Sequence, residues 1–328
     1  MMDLRNKKVL VTGGPGFIAS HLCRRLVREG ASLYVLTRYN SIIDNVRLAG
    51  LWGQLIPVEA DIRNPDSLAQ LRTIRPEIIY HFAAYNHVGD SFLHVAEAID
   101  SNGKGSVNVL EAYGDYERFI YISSSEVYGR QEAVPFHEGA TPFPVSPYAV
   151  GKYAGELYAR MKWAVEGKPI VVLRPFNAFG PYQSPRAVVA EIIINCLLGQ
   201  EVLATEGKQT RDFSFVEDLV DAFVLAAGRD EAVGEVINVG SGREIAIRDL
   251  IGVIHGMTRS SSRVRIGALP YRPTEIWRMC AANEKAQRLL GWRPRVGFER
   301  GLEITIDWYG RFIKEFMDPA SALCRLGL

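Results

Sequence analysis

Two residues four apart carry the chemistry of this sequence. In Ser146-Pro-Tyr-Ala-Val-Gly-Lys152, Tyr148 and Lys152 fall on one face of an expected helix. An ammonium close to a phenol favours the phenolate, which makes Tyr148 a base near neutral pH. The same ammonium can hold a ribose. Upstream, Tyr121-Ile-Ser-Ser-Ser-Glu-Val-Tyr-Gly129 ends an apolar strand in hydroxyls. Ser124 can bond the substrate oxygen that Tyr148 deprotonates. Glu126 is the discriminating residue. Alcohol oxidation needs no carboxylate beside the tyrosine, whereas taking a proton made acidic by a new carbonyl does. An exposed loop or cap glutamate is the alternative reading of Glu126.

Hydride chemistry needs a dinucleotide, and the N-terminus carries elements to hold one. Val9-Leu-Val-Thr-Gly-Gly-Pro-Gly-Phe-Ile-Ala-Ser-His-Leu22 reads as a strand, a glycine turn and a helix start. Gly13 and Gly16 permit tight turning and close approach of backbone N–H groups to a pyrophosphate. The phosphates then meet the helix N-terminus at Phe17 and Ile18, where unpaired N–H groups and the dipole favour an anion. Ala19 takes the third small-residue position, letting the helix pack on the sheet.

The second strand ends in Val35-Leu-Thr-Arg-Tyr-Asn40, so Thr37 and Arg38 stand where an acid usually bonds the adenosine ribose. No carboxylate repels a 2′-phosphate there and an arginine can pair with one, so NADP is favoured over NAD. A solvated strand-end arginine is the alternative. Asp61, followed by Ile62, is placed to accept a hydrogen bond from adenine, or is an ordinary strand-end aspartate. Ala83, after the fourth strand, completes the expected cofactor contacts.

The elements that must position these residues follow from alternation along the chain. Strands are expected at Lys8–Thr12, Ser32–Thr37, Gln54–Ala60, Glu77–Phe82, Arg118–Ser123 and Pro169–Arg174. Helical patterns lie between them near Phe17–Glu29, Ser67–Thr73, Val95–Tyr113 and Pro147–Val165. This βαβ alternation predicts an α/β fold: a Rossmann-type, doubly wound parallel sheet with a smaller C-terminal region. After Arg174, the residues Pro175, Gly180, Pro181 and Pro185 mark a loop. A helix near Arg186–Leu198, a polar loop to Gln209, a helix near Val216–Gly228 and a strand at Glu235–Val239 follow. Short helices are expected in the tail.

Composition removes several function classes. The net charge of +1 over 328 residues gives no basic excess to neutralise a nucleic acid. The longest apolar stretch, Val188–Leu198, is broken by Glu191 and Asn195 and is too short to span a bilayer. The first strand begins too early to leave room for a signal peptide. Cys23, Cys196, Cys280 and Cys324 lack metal-like spacing, and no His/Asp/Glu cluster suggests a metal. They read as free thiols of a reducing, cytoplasmic setting.

Taken together, Gly13-x-x-Gly16-x-x-Ala19, Tyr148-x-x-x-Lys152, Arg174-Pro-Phe-Asn177 and Arg211-Asp-Phe213 resemble the extended short-chain dehydrogenase/reductase family over nearly the whole chain. Within it, Ser124-Ser-Glu-Val-Tyr-Gly129 resembles nucleotide-sugar 4,6-dehydratases, especially the GDP-mannose and N-acetylated-sugar types. The runs His81–Phe92, Arg38–Ser41 and Arg272–Glu275 point the same way. On this resemblance, residues 1–175, joined by 211–240, bind the dinucleotide. Residues 176–210 and 241–328 then form a discontinuous α/β domain for a nucleotide-diphosphate sugar.

The resemblance implies a cofactor that is reduced and then reoxidised. Tyr148 would remove the sugar 4-hydroxyl proton, Glu126 the C5 proton, and water would leave from C6. Ser124 and Lys152 would support Tyr148, while Asn177, Arg186, Arg211 and Arg272 would bind the sugar nucleotide. His87 would line the site, although a surface or structural histidine is the plainer reading. Helices Val95–Tyr113 and Pro147–Val165 resemble the pair that builds a four-helix dimer interface in the family, so a homodimer is implied.

One departure bears on the reaction. Many glucose-type members carry Asp-Glu where this chain has Ser125-Glu126, and that aspartate protonates the leaving hydroxyl. Ser125 leaves the proton to Glu126, a water or another group. The Ser-Glu pair also resembles UDP-glucuronate decarboxylases, which usually carry an Asp-Gly-Arg segment that is missing near Gln183–Arg186. A 4-epimerase would use Tyr148 without needing Glu126. A non-catalytic dinucleotide sensor would need neither Tyr148 nor Lys152.

Overall fold

The computed structural model describes residues 3–38 and 46–316, the side chain of Phe316 excepted. Most of the Arg38–Ser41 run, and Cys324, lie outside the described residues. The first half runs β1 (Lys8–Thr12), α1 (Phe17–Arg28), β2 (Ser32–Thr37), β3 (Leu55–Glu59), α2 (Leu71–Ile74) and β4 (Ile78–His81). It continues through α3 (Val95–Ile99), α4 (Gly105–Ala112), β5 (Arg118–Ile122), α5 (Pro147–Glu166) and β6 (Ile170–Pro175). The second half holds β7 (Asn177–Phe179), α6 (Val188–Leu197), β8 (Val202–Leu203), β9 (Thr210–Phe215), α7 (Val216–Ala227) and β10 (Val236–Val239). It ends with β11 (Glu244–Ala246), α8 (Ile247–Thr258), β12 (Val264–Arg265), α9 (Glu284–Leu290) and α10 (Phe298–Phe316).

Seven of these strands form one parallel sheet in the order β10-β6-β5-β4-β1-β2-β3. Strand side chains alternate between faces, so a sheet covered on both sides needs near-continuous apolar runs. Val9, Val11, Ile78 and Tyr80 pack on one side with α1, α7 and α9. Leu10, Ile79, Phe119 and Tyr121 pack on the other with α4 and α5. Strands β2 and β4 flank β1 on opposite sides, so the winding reverses between β1 and β4. In open sheets the carboxyl ends at that reversal leave a crevice for ligands.

The expected helix Val95–Tyr113 is interrupted. A π turn, Asp100–Lys104, separates α3 from α4. It turns Asn102 inward, where its amide oxygen accepts the Tyr85 N–H at 2.6 Å and its Nδ2 donates to the carbonyls of Tyr85 and Tyr148 at 3.2 and 3.3 Å. Such bulges gather at functional sites. The pattern at Ser67–Thr73 also divides, into a 3-10 turn at Pro65–Leu68 and the short α2.

The second half differs more from expectation. Strands β11-β9-β7 form a separate three-stranded sheet, and β8 pairs with β12. The tail is not built of short helices alone: α8 has 12 residues and α10 has 19. Both cover a core of Phe179, Ile193, Phe213, Leu250 and Leu302, and that burial holds them together. Among the described residues, no helix is long and apolar enough to cross a membrane and no cluster could hold a metal ion.

Candidate active site

A cleft of about 680 Å³ opens at the carboxyl ends of β1, β2, β4 and β5. Gly13, with φ +69°, ends β1, and a Cβ there would stand 2.8 Å from the backbone of Ala83. Only glycine fits such a left-handed position so close to another strand. Gly16 caps α1 without a side chain, and no acid occupies the helix's first turn. Phe17, Ile18 and Ala19 therefore present that helix start to the cleft, ready for an anion. The local geometry fits a dinucleotide pyrophosphate.

One end of the cleft is lined by Thr37, Arg38, Asp61 and Ile62, and Ala83 also lines it. Asp61 is tied to Arg63, whose guanidinium donates to both carboxylate oxygens, and this pairing holds its carboxyl below the usual range. Arg38 is 66% exposed, with Glu97 of α3 4.0 Å from it. Glu97 also faces Arg63 at 3.5 Å and lines the cleft, a contribution from α3 that sequence reasoning did not single out.

At the other end, Ser124, Ser125, Glu126, Tyr148, Lys152 and Asn177 meet in the same cleft. Ser124 accepts the Glu126 N–H at 3.2 Å and so caps the 3-10 turn Ser125–Tyr128. Ser146 caps α5 by accepting the Ala149 N–H at 3.2 Å, with Pro147 at the first helical position. Helix α5 approaches the sheet closely because Gly151 and Gly155 face Asn102, Ala98 and Tyr121.

The electrostatics correct one expectation. Instead of a lowered phenol pKa at Tyr148, burial pushes it up to about 12, a hydrogen bond with Ser124 draws it back and the Glu126 charge adds to the rise. Lys152 instead donates to the Ile122 carbonyl at 2.7 Å, and burial lowers its pKa to about 8. Glu126 is also raised, first by burial and then by Glu275, against the pull of Arg211 and Arg272. Ser125 does not aim its hydroxyl at a reacting centre. It donates to the Met279 sulfur at 3.3 Å, and Asn177 Nδ2 lies 3.7 Å from the same atom.

The remaining polar residues form an outer tier. Arg186 makes two 2.9 Å bonds to Asp90, and Asp90 N donates to His87 Nδ1 at 2.9 Å. Arg272 approaches the same turn beside Gly89. Burial lowers the His87 pKa, and Arg186 and Arg272 lower it further against the opposing charge of Asp90. Arg211 is spoken for: it donates to Glu275 at 2.6 Å and to the carbonyls of Thr210 and Ile276 at 2.8 and 2.6 Å. Asp90 and Met279 went unrecognised as site residues. Asp90 lay within the His81–Phe92 run, whereas Met279 carried no local signal.

A switch-point crevice with a glycine cradle at one end and a serine–tyrosine–lysine centre at the other defines a dinucleotide-dependent enzyme of the extended short-chain dehydrogenase/reductase class. The chain belongs to the family described as GDP-mannose 4,6 dehydratase, whose family model matches residues 10–305. It is 32% identical to human dTDP-D-glucose 4,6-dehydratase, over 97% of this chain and 94% of that one. An epimerase from Methanothermobacter thermautotrophicus superposes with a TM-score of 0.89 at 32% identity, covering 96% of each chain. A dTDP-glucose 4,6-dehydratase from Streptomyces venezuelae, solved with NAD bound, superposes at 0.87 with 29% identity, covering 93% of this chain and 98% of that one. A dTDP-glucose 4,6-dehydratase and an epimerase thus share this fold.

Proposed function

We propose that the protein is a nucleotide-sugar 4,6-dehydratase, converting an NDP-hexose to an NDP-4-keto-6-deoxyhexose. The observation that carries this reading is Glu126, a carboxyl of raised pKa in the cleft with Ser124 and Tyr148. A 4-epimerase has no use for a base there. A bound nicotinamide dinucleotide supplies the hydride acceptor and donor and, when oxidised, a positive charge that favours the Tyr148 phenolate. Tyr148 takes the 4-hydroxyl proton, with Ser124 bonding the same oxygen. The resulting 4-keto group acidifies C5–H, and Glu126 takes that proton. A carboxyl of raised pKa then carries it back to the departing C6 hydroxyl, work that Ser125, turned to Met279, does not do, and as the hydride is returned to C6 the proton that Tyr148 took is returned to C5, so that water alone is lost.

Arg186, Arg272 and Asn177, on the part of the chain formed by 176–210 and 241–328, are proposed to hold the sugar nucleotide together with His87 and with Arg211, which β9 carries in the small sheet β11-β9-β7. For Arg186 this means exchanging Asp90 for a diphosphate. The cofactor is proposed to be NADP before NAD, because Arg38 rather than a carboxylate follows β2. The apolar row Val150, Leu157 and Met161 on α5, exposed beside Val95 of α3, supports a homodimer, testable by its mass in light scattering. Buried free thiols at Cys23, Cys196 and Cys280 support a cytoplasmic setting.

Glu126→Gln tests the central role. The variant should oxidise C4 and stall, so reduced cofactor accumulates in nicotinamide absorbance while no water is lost. Full turnover by that variant would remove Glu126 from the mechanism.

A further inference from the structure

Behind the reacting centre lies a charged pair that none of the steps above uses. Glu156 of α5 is 0% exposed and Arg174 of β6 is 1% exposed. Arg174 donates twice to the carboxylate, from Nε at 3.0 Å and Nη2 at 2.5 Å. Ser123 Oγ donates to the same carboxylate at 2.7 Å. The Arg174 guanidinium lies 4.6 Å over the ring of Tyr128, whose hydroxyl donates to Asn238 at 2.7 Å. Arg174 Nη1 is buried with no hydrogen-bond partner.

Stability alone is a poor reason for such a pair, since apolar side chains of similar volume often serve as well or better. What an apolar pair cannot do is fix rotation and register, which a two-bond fork does. Each partner ties down a segment that lines the cleft. Ser123 immediately precedes Ser124. Glu156 follows Lys152 by one helical turn on the face that also carries Tyr148. Tyr128 closes the turn that holds Glu126, and Arg174 leads into Pro175, Phe176 and Asn177.

We infer that Glu156 and Arg174 are positioning residues for proton and hydride transfer: their ion pair sets Ser124, Tyr148 and Glu126 relative to one another without touching substrate. This deepens the proposed function and rests on Tyr148 as the proton acceptor. Kinetics and crystallography test it together. Ser123→Ala cuts the link from the pair to the segment that carries Ser124, and the charge-neutral double variant Glu156→Gln/Arg174→Gln removes the pair itself, neither leaving a lone buried charge. Each should lower kcat by roughly 10- to 100-fold, the scale of a misplacement of about 1 Å. The KM for the nucleotide sugar and the Kd for the dinucleotide should change much less than kcat, because Arg186, Arg211 and Arg272 and the Gly13–Gly16 turn are not tied to the pair. Glu156→Asp should recover part of the loss.

A merely structural pair would lower the melting temperature and leave kcat per folded molecule unchanged, and that result would overturn the inference. Should the wild-type protein leave every hexose unaltered, the dehydratase reading falls, and the positioning inference is decided by crystal structures. A separation between Ser124 Oγ and Tyr148 Oη longer by about 1 Å in either variant supports it. An unchanged separation in both rejects it. Ser123→Ala deletes one hydroxyl and keeps both charges, so it serves even if the double variant fails to fold.

Discussion

Burial governs the ionisation of the three groups to which the proposed chemistry is assigned. It pushes Tyr148 up to about 12, lowers Lys152 to about 8 and raises Glu126. The signs give a bell-shaped pH profile. Glu126 is a base only when ionised, so activity falls as pH drops through its raised pKa. The Lys152 ammonium is lost as pH rises through about 8, so activity falls on that side too. Measured kcat/KM should therefore peak between these limits. A profile flat from pH 5 to 9 would contradict these assignments.

Elements place those side chains through close approach. A Cβ at Gly155 would stand 2.3 Å from the Tyr121 hydroxyl and 2.8 Å from the Asn102 carbonyl oxygen. Gly155→Ala should cost about 1–3 kcal/mol by overpacking, read as a lower urea midpoint, with activity falling as α5 is displaced. Gly252 in α8 has nothing within 4 Å, so Gly252→Ala should instead add up to about 1 kcal/mol. Equal effects at both positions would refute the packing argument.

The same elements show what a sequence reader can see. The bounds of β1 and β2 were legible because each is an apolar run between turn signals. The glycine cradle and the Tyr148–Lys152 pair were legible because their spacing is local. Strand β9 was not, since Arg211 and Asp212 look like loop residues until Glu275, Ser241, Gly242 and Ala281 satisfy them. The engagement of Ser125 with Met279, and of Arg186 with Asp90, joins residues far apart in the chain, and no spacing rule reaches that distance. The high phenol pKa of Tyr148 was missed for a related reason: desolvation depends on everything around a group.

At the scale of the molecule, the N-terminal half grips the second half through α1. His21 bonds the Pro181 carbonyl at 2.9 Å, and Arg24 lies 4.3 Å over the ring of Tyr182, a non-glycine residue at φ +67°. Burial lowers the His21 pKa from 6.5 to about 4. Between those values the unfolded chain binds a proton that the folded chain refuses, so stability falls as pH falls through this window. His81, buried between Thr12 and Ser106, acts in the same direction. Urea midpoints should drop between pH 7 and pH 5, and drop less in His21→Gln.

The chain's overall reaction is decided by product mass. The wild-type protein, supplied with NADP or NAD and in turn with GDP-, UDP-, CDP- and dTDP-hexoses, should convert one of them to a product lighter by one water, without net consumption of cofactor. An unchanged mass with inverted C4, or a loss of carbon dioxide from a hexuronate, would contradict the dehydratase assignment.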